Sequence, residues 1–234
     1  MLKHLLKCLA DPARDLIRDQ LGLWEEDVSK NIRLELQRRA LQTTTDYVQT
    51  RMAHVDSVPT RFKLLDLALS RMKPGGLICE FGVCSGKSIN HIARRTESTV
   101  YGFDSFAGLP ERWIDGFPAG HFARKDLPRV RGNVELIKGW FADTLPAFIS
   151  KHPENVSFLN IDCDLYSATD TVLTLLGPRI GKGTVIVFDE YFNYPGWQNG
   201  EFKAFQEFIE TSAHRYEYIS YNYTDEQSAV IITD

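Results

Sequence analysis

A doubly wound α/β sheet, mostly parallel and closed by an antiparallel hairpin, is what this sequence predicts. Three observations carry the prediction. From Leu77 onward, apolar runs of strand length alternate with helix-length patterns, the mark of parallel strands joined by crossover helices. The last two strand-like runs, Tyr216–Tyr221 and Ser228–Thr233, are separated only by a polar turn at Thr224-Asp225-Glu226, too short for a crossover. A chain of 234 residues suits one such domain with a helical appendage.

The elements follow in order. Residues 1–57 read as a helical extension for capping or oligomerisation. One apolar group there is Leu16, Ile17, Leu21, Leu23 and Trp24; a second is Ile32, Leu34, Leu36 and Leu41. Ser57-Val58-Pro59-Thr60 is a break, and residues 58–234 make the α/β domain. A helix from Arg61 to Met72 stops at Lys73-Pro74-Gly75-Gly76. Strand Leu77–Phe81 runs into a glycine-containing loop and a helix near Ile89–Arg94. Val100–Phe103 is the second strand. A long polar segment with glycines and prolines, Ala107 to Arg131, leads to the third strand, Val134–Ile137. A helix from Asp143 to Ser150, strand Val156–Ile161, a helix from Ala168 to Leu176 and strand Thr184–Phe188 come next. One more helix carries Phe202, Phe205, Phe208 and Ile209 on one face. With the final hairpin this makes a seven-stranded Rossmann-like sheet, whose ligands belong beyond the C-terminal ends of its strands.

Composition removes several functions. At 43% hydrophobic and 25% charged residues the chain reads as ordinary globular protein. A net charge of -4 offers no basic excess for phosphate backbones, so no nucleic-acid partner is expected. No apolar run reaches the roughly 20 residues that span a bilayer, so no membrane role is expected. The N-terminal stretch MLKHLLKCLADPARD is broken by charge and does not read as a secretory signal. Cys8, Cys79, Cys84 and Cys163 form no CxxC pair, which fits reduced thiols and a cytoplasmic setting.

The first strand ends in Glu80-Phe81-Gly82-Val83-Cys84-Ser85-Gly86-Lys87-Ser88. Gly82 and Gly86 let backbone approach a ligand. The spacing is neither the G-x-G-x-x-G of dinucleotide enzymes nor a P-loop, because Phe81 stands where a P-loop needs its first glycine. Asp104 follows the second strand, where an acidic residue can accept both hydroxyls of a ribose. The pattern suits an adenosine ligand whose other end is a sulfonium and an amino acid. After the third strand, in Lys138-Gly139-Trp140-Phe141, either aromatic can lie against an adenine ring or cap the sheet. The cofactor set so read is Glu80, Gly82, Gly86, Ser88, Asp104, Ser105, Gly139, Trp140, Phe141 and Asp162.

The fourth strand ends in Asp162-Cys163-Asp164 and the fifth in Asp189-Glu190. If those strands are neighbours, four carboxylates converge. At 4 Å two like charges repel by about 4 kcal/mol at an effective dielectric near 20, so the cluster needs a cation, a proton or a basic partner. Hard oxygen ligands suit Mg²⁺ or another divalent cation. Asp162, Asp189 and Glu190 are assigned to the metal, and Asp164 is the candidate general base for a hydroxyl nucleophile. The alternative is that Asp164 or Glu190 caps the next helix or pairs with Arg179 or Lys182. Within the long segment, Glu111 to Phe122 reads as a lid, with His121 as a second possible base. Tyr191, Tyr194 and Trp197 are either an acceptor wall or core.

At this point the chain resembles a known group. FDSFAGLP and DCDLYSAT, with GGLICEFGVCSGKS before them and GTVIVFDEY after, resemble the TylF/MycF-type O-methyltransferases over roughly residues 75–192. The resemblance implies a class I methyltransferase using S-adenosylmethionine and Mg²⁺, a small hydroxylated acceptor such as a sugar or natural product, and a dimer or higher oligomer. It implies metal ligands at Asp162, Asp189 and the next residue, a catalytic base at Asp164, and a ribose ligand at Asp104. The family often has Asp-Asp after the fifth strand; here it is Asp189-Glu190. Two other classes stay open. An NAD-type oxidoreductase explains Asp104 but neither the loop spacing nor the carboxylates. A non-catalytic scaffold leaves their repulsion without a purpose.

Overall fold

The structure is a computed structural model that describes residues 29–234. The sequence-read apolar group from Leu16 to Trp24, the N-terminal stretch and Cys8 lie outside the described residues. In chain order the elements are α1 (Ile32–Arg51), β1 (Ser57–Val58), α2 (Arg61–Arg71), β2 (Leu77–Phe81), α3 (Lys87–Ala93), β3 (Val100–Asp104) and β4 (Val134–Lys138). They continue with α4 (Phe141–Lys151), β5 (Val156–Ile161), α5 (Tyr166–Leu176), β6 (Val185–Phe188), α6 (Glu201–Ser212), β7 (Tyr216–Asn222) and β8 (Ser228–Ile232).

The sheet order is β1-β7-β8-β6-β5-β2-β3-β4. Strands β2 to β6 are parallel, as the alternating pattern predicts, and β8 inserts antiparallel between β6 and β7. The sheet has eight strands where the sequence predicts seven. The addition is β1, inside the segment read as a break. It forms because Val58 accepts a hydrogen bond from the Tyr223 N–H at 3.1 Å and Ser220 Oγ donates to the Asp56 carbonyl at 2.7 Å. The C-terminal hairpin is therefore not the edge of the sheet; β1 covers β7.

Period-two alternation along the strands divides the core between two faces. On one, Leu145 and Phe148 of α4, Val172 and Leu176 of α5 and Phe205 of α6 pack with Phe81 and Phe188. On the other, Leu64 and Leu65 of α2 and Ile89 and Ile92 of α3 pack with Ile78, Val185 and Val187. Helix α1 joins the first face through Ala40 and Thr44, one helical turn apart. Thr44 Oγ1 accepts from the Asn193 N–H at 2.9 Å, and Tyr47 OH meets Tyr218 OH at 2.5 Å. The apolar residues read from the sequence of α1 are the exposed ones, with Ile32 at 75% and Leu41 at 53%. At 100° per residue, positions 32 and 36 fall on one side of the helix and 34 and 41 on the opposite side, so the four do not form one stripe. Among the described residues, no helix is long and apolar enough to cross a membrane, and Cys79, Cys84 and Cys163 are free thiols.

Candidate active site

The glycine loop leaves β2 at the centre of the sheet. Gly82 has φ +92°, and a Cβ there would overlap the carbonyl oxygen of Asp162, so the close approach of two strand ends requires glycine. Asp104, at the end of β3, fixes the loop from the side. Its Oδ2 accepts from the N–H groups of Val83 at 2.9 Å and Cys84 at 2.8 Å, and its Oδ1 from Phe106 at 2.6 Å. A carboxylate has about four acceptor directions, so some capacity remains for a further donor. Glu80 lies beneath. It is fully buried, accepts from Ser88 Oγ at 2.8 Å and Asn160 Nδ2 at 3.2 Å, and has its pKa pushed up by burial and by the charge of Asp162.

Above the loop opens a cavity of about 690 Å³. Of the residues assigned to the cofactor from the sequence, Gly82, Ser88, Asp104, Ser105, Trp140, Phe141 and Asp162 line it. Glu80, Gly86 and Gly139 are not in its wall. Gly86 faces a shallower depression with Lys87 and Arg94. Phe141 is wedged edge-on against Phe81 at 5.3 Å, while Trp140 is 42% exposed at the rim.

The long segment before β4 contributes Leu109 and Phe122 to the wall. It is anchored where Ser167 Oγ donates to Glu111 Oε1 at 2.6 Å and Trp113 packs against Tyr194 at 5.5 Å. His121 is not part of the cavity lining and packs on Phe117 and Phe122. Tyr191, Tyr194 and Trp197 are core, not an acceptor wall: all three are buried and none lines the cavity.

Strands β5 and β6 are neighbours, which meets the condition set by the sequence. Carboxylate oxygens of Asp162, Asp189 and Glu190 lie within 4.8 Å of one another on the cavity floor. The basic partner is not Arg179, whose guanidinium donates to backbone carbonyls, among them Ile149 at 3.2 Å. It is Arg61. The side chain of Thr60 caps α2 by accepting from the Lys63 N–H, and that cap makes Arg61 the first residue of the helix. Its Nη2 bonds Asp162 Oδ2, and its Nε stands 2.9 Å from Asp189 Oδ1. The second contact is close but off the N–H axis, so among the described residues Arg61 Nε and Asp189 Oδ1 both lack a hydrogen-bond partner; so does Glu190 Oε2.

Burial dominates the electrostatics. It raises the pKa of Asp189 to about 8, aided by the charge of Asp162 and opposed by Arg61. Glu190 is raised by burial, then by Asp189 and Asp164. At Asp162 burial outweighs the attraction of Arg61. Asp164 sits in a tight turn closed by the Leu165 N–H to the Cys163 carbonyl at 2.6 Å, with φ +64°. A non-glycine residue held there costs on the order of 1–3 kcal/mol, a strain that concentrates at functional sites. Its pKa is raised to about 7 by burial, then by Asp162 and Glu226. Neither Asp164 nor Glu190 caps a helix, since α5 has no side-chain cap and α6 begins after Gly200.

Sequence reasoning missed Arg61 and Glu201. Glu201 is fully buried at the start of α6 and accepts from the N–H groups of Cys163 at 3.3 Å and Glu190 at 3.1 Å. It ties together the two loops that carry the acidic residues. Its signal in the sequence was weak: an acidic residue in a helix first turn is ordinary. Glu201→Ala orphans two buried N–H groups at about 1–3 kcal/mol each, so urea unfolding should show a loss of at least about 2 kcal/mol. A loss under about 0.5 kcal/mol would remove Glu201 from this role.

The sheet departs from that of dinucleotide enzymes: the antiparallel β8 lies between β6 and β7, and the glycine loop has its own spacing. Residues 79–191 match the profile of a family described as a methyltransferase domain. The chain is 31% identical over 118 residues to demethyldecarbamoylnovobiocin O-methyltransferase of Streptomyces niveus, covering 42% of this chain and 44% of that one. It is 30% identical over 143 residues to 8-demethyl-8-(2,3-dimethoxy-alpha-L-rhamnosyl)-tetracenomycin-C 4'-O-methyltransferase of Streptomyces olivaceus, covering 50% and 53%. It thus spans about half the length of these curated relatives. Among solved structures, a calicheamicin methyltransferase, CalS11, superposes with a TM-score of 0.58 at 21% identity, covering 98% of this chain and 89% of that one. The O-methyltransferase NovP gives 0.53 at 23% identity, covering 74% and 78%. At these identities the structures share the fold. The sequence-read resemblance to TylF/MycF-type enzymes agrees with these matches.

Proposed function

We propose that the protein is an S-adenosylmethionine-dependent O-methyltransferase that acts on a hydroxyl of a small molecule, such as a sugar or natural product, with a divalent cation at the acidic floor. The observation that carries the reading is the convergence of three carboxylates, two of them with an orphaned buried oxygen, at the ends of adjacent central strands. Three hard oxygen donors, two of them with unmet bonding capacity, fit Mg²⁺ or a similar ion. Asp162, Asp189 and Glu190 would hold it. When bound, the cation makes a hydroxyl in its shell more acidic, and S-adenosylmethionine supplies the methyl group from its sulfonium.

The chain's own groups do the rest. Asp164, beside that floor and with its pKa raised to about 7, takes the hydroxyl proton. The loop from Gly82 to Ser88 and the spare acceptor capacity of Asp104 hold the adenosine and amino-acid ends of the cofactor. Trp140 or Phe141 flanks the adenine. Leu109 and Phe122 exclude water from the acceptor side. The acidic net charge supports a partner other than nucleic acid. Free thiols support a cytoplasmic setting, and the sequence resemblance supports a homo-oligomer, such as a dimer.

Calorimetry tests the reading. S-adenosylmethionine should bind at micromolar Kd, NAD should not, and turnover of hydroxylated acceptors should need added Mg²⁺. Bound NAD in place of S-adenosylmethionine would restore the oxidoreductase. Asp104→Ala should weaken cofactor binding by about 1.5–3 kcal/mol, the scale of a hydrogen bond to a charged group. Unchanged affinity would mean that the ribose is held elsewhere.

A further inference from the structure

The acidic floor already holds a positive charge of its own. Arg61 reaches it from the first turn of α2, far from Asp162 and Asp189 in sequence, and its guanidinium spans both. Its side chain is 29% exposed and lines the cavity, so it has open space beside it. Burial alone would lower its pKa, but Asp162 and Asp189, then Glu80 and Glu190, hold it above the usual guanidinium value. The fork is imperfectly seated: one nitrogen is bonded, while Nε and the facing Asp189 oxygen stay unsatisfied at 2.9 Å. The third carboxylate, Glu190, keeps an orphaned oxygen of its own.

We propose that Arg61 is a tethered counter-ion that competes with the divalent cation for the acidic floor. This rests on the reading that Asp162, Asp189 and Glu190 bind such an ion. Without the ion, Arg61 keeps the half-buried Asp162 and the buried Asp189 from repelling each other and keeps β5 and β6 together at their ends. When the ion enters, two positive centres share the same pair of carboxylates, and the like charges oppose each other. Arg61 then leaves one or both aspartates and turns into the cavity, where its donors face the space left for acceptor or cofactor. Loading the site is thereby coupled to presenting a guanidinium, which suits bidentate recognition of an anionic or polyhydroxyl group.

Neutralising Arg61 should have opposite effects on two quantities. Arg61→Gln keeps hydrogen-bonding capacity and removes charge; Arg61→Lys keeps charge and loses the fork. Binding of Mn²⁺ to the purified full chain, read by electron paramagnetic resonance of the free ion with Mg²⁺ as competitor, needs no turnover. Affinity should rise from wild type through Arg61→Lys to Arg61→Gln, the last by about tenfold or more, which is about 1.4 kcal/mol. Melting temperature without metal should fall in the same order, and the gap should close at saturating Mn²⁺. If Arg61→Gln does not fold, Arg61→Lys against wild type decides. Equal or weaker Mn²⁺ binding in the variants, with wild type binding, overturns the role of Arg61 and leaves the metal site standing. No Mn²⁺ binding by wild type or variants overturns both.

Discussion

Asp164→Asn is expected to cut methyl-transfer turnover by roughly 10²–10⁴-fold while Kd for S-adenosylmethionine stays within about twofold, the usual span for loss of a general base. The substitution is nearly isosteric. Asparagine tolerates the left-handed backbone that this turn imposes at φ +64°, so the turn survives. It also removes one carboxylate from a buried group in which Asp162 and Glu226 push against Asp164, so the melting temperature should hold or rise. That combination separates a catalytic role from a structural one: an Asp kept for packing would leave turnover intact, and one kept for stability would lower the melting point. Single-turnover kinetics with a hydroxylated acceptor read the first quantity, calorimetry the second and thermal melts the third. Undiminished turnover would take Asp164 out of the mechanism and return attention to the other groups of the cavity.

What was legible in the sequence follows the range of the forces involved. Strands β2, β3, β5 and β6 are short and largely apolar, β4 alternates at the sheet edge, and loops with glycine or aspartate follow them, so local pattern suffices to find them, and parallel order then places every strand end on one edge. Asp162 and Asp189 were readable because they stand at such ends. β1 was not, because its two residues are strand only by virtue of Tyr223 and Ser220, far along the chain. Arg61 and Glu201 share that cause: each acts across the fold on residues that composition cannot bring near it. The long segment before β4 read as a lid from its glycines and aromatics, yet His121 within it turns to Phe117 and Phe122, a choice that only packing makes. Helix α1 shows the opposite error. Its exposed apolar residues drew notice, while the face it turns to the core carries Ala40, Thr44, Tyr47 and Val48, with Tyr47 edge-on to Trp197 and Phe202, partners far along the chain.

Gly82→Ala should be the most damaging single change in the glycine loop. Its Cβ would overlap the Asp162 carbonyl, and φ +92° disfavours any side chain. Overpacking costs about 1–3 kcal/mol and the left-handed backbone about 1–2 kcal/mol, so urea unfolding should show a loss of about 3 kcal/mol or more. Gly120→Ala is the control, since that glycine has φ +80° with nothing within 4 Å of where a Cβ would stand, and it should lose only the backbone share. The difference between the two isolates the close approach itself. The same overlap would push β5's end away from β2's, so surviving Gly82→Ala protein should lose affinity for S-adenosylmethionine and for Mn²⁺ together, whereas Gly120→Ala should keep both. Equal stability losses in the two variants would mean that the loop gives way locally. The cofactor wall and the acidic floor would then be independent structures, and the coupling between them would have to come from Arg61 alone.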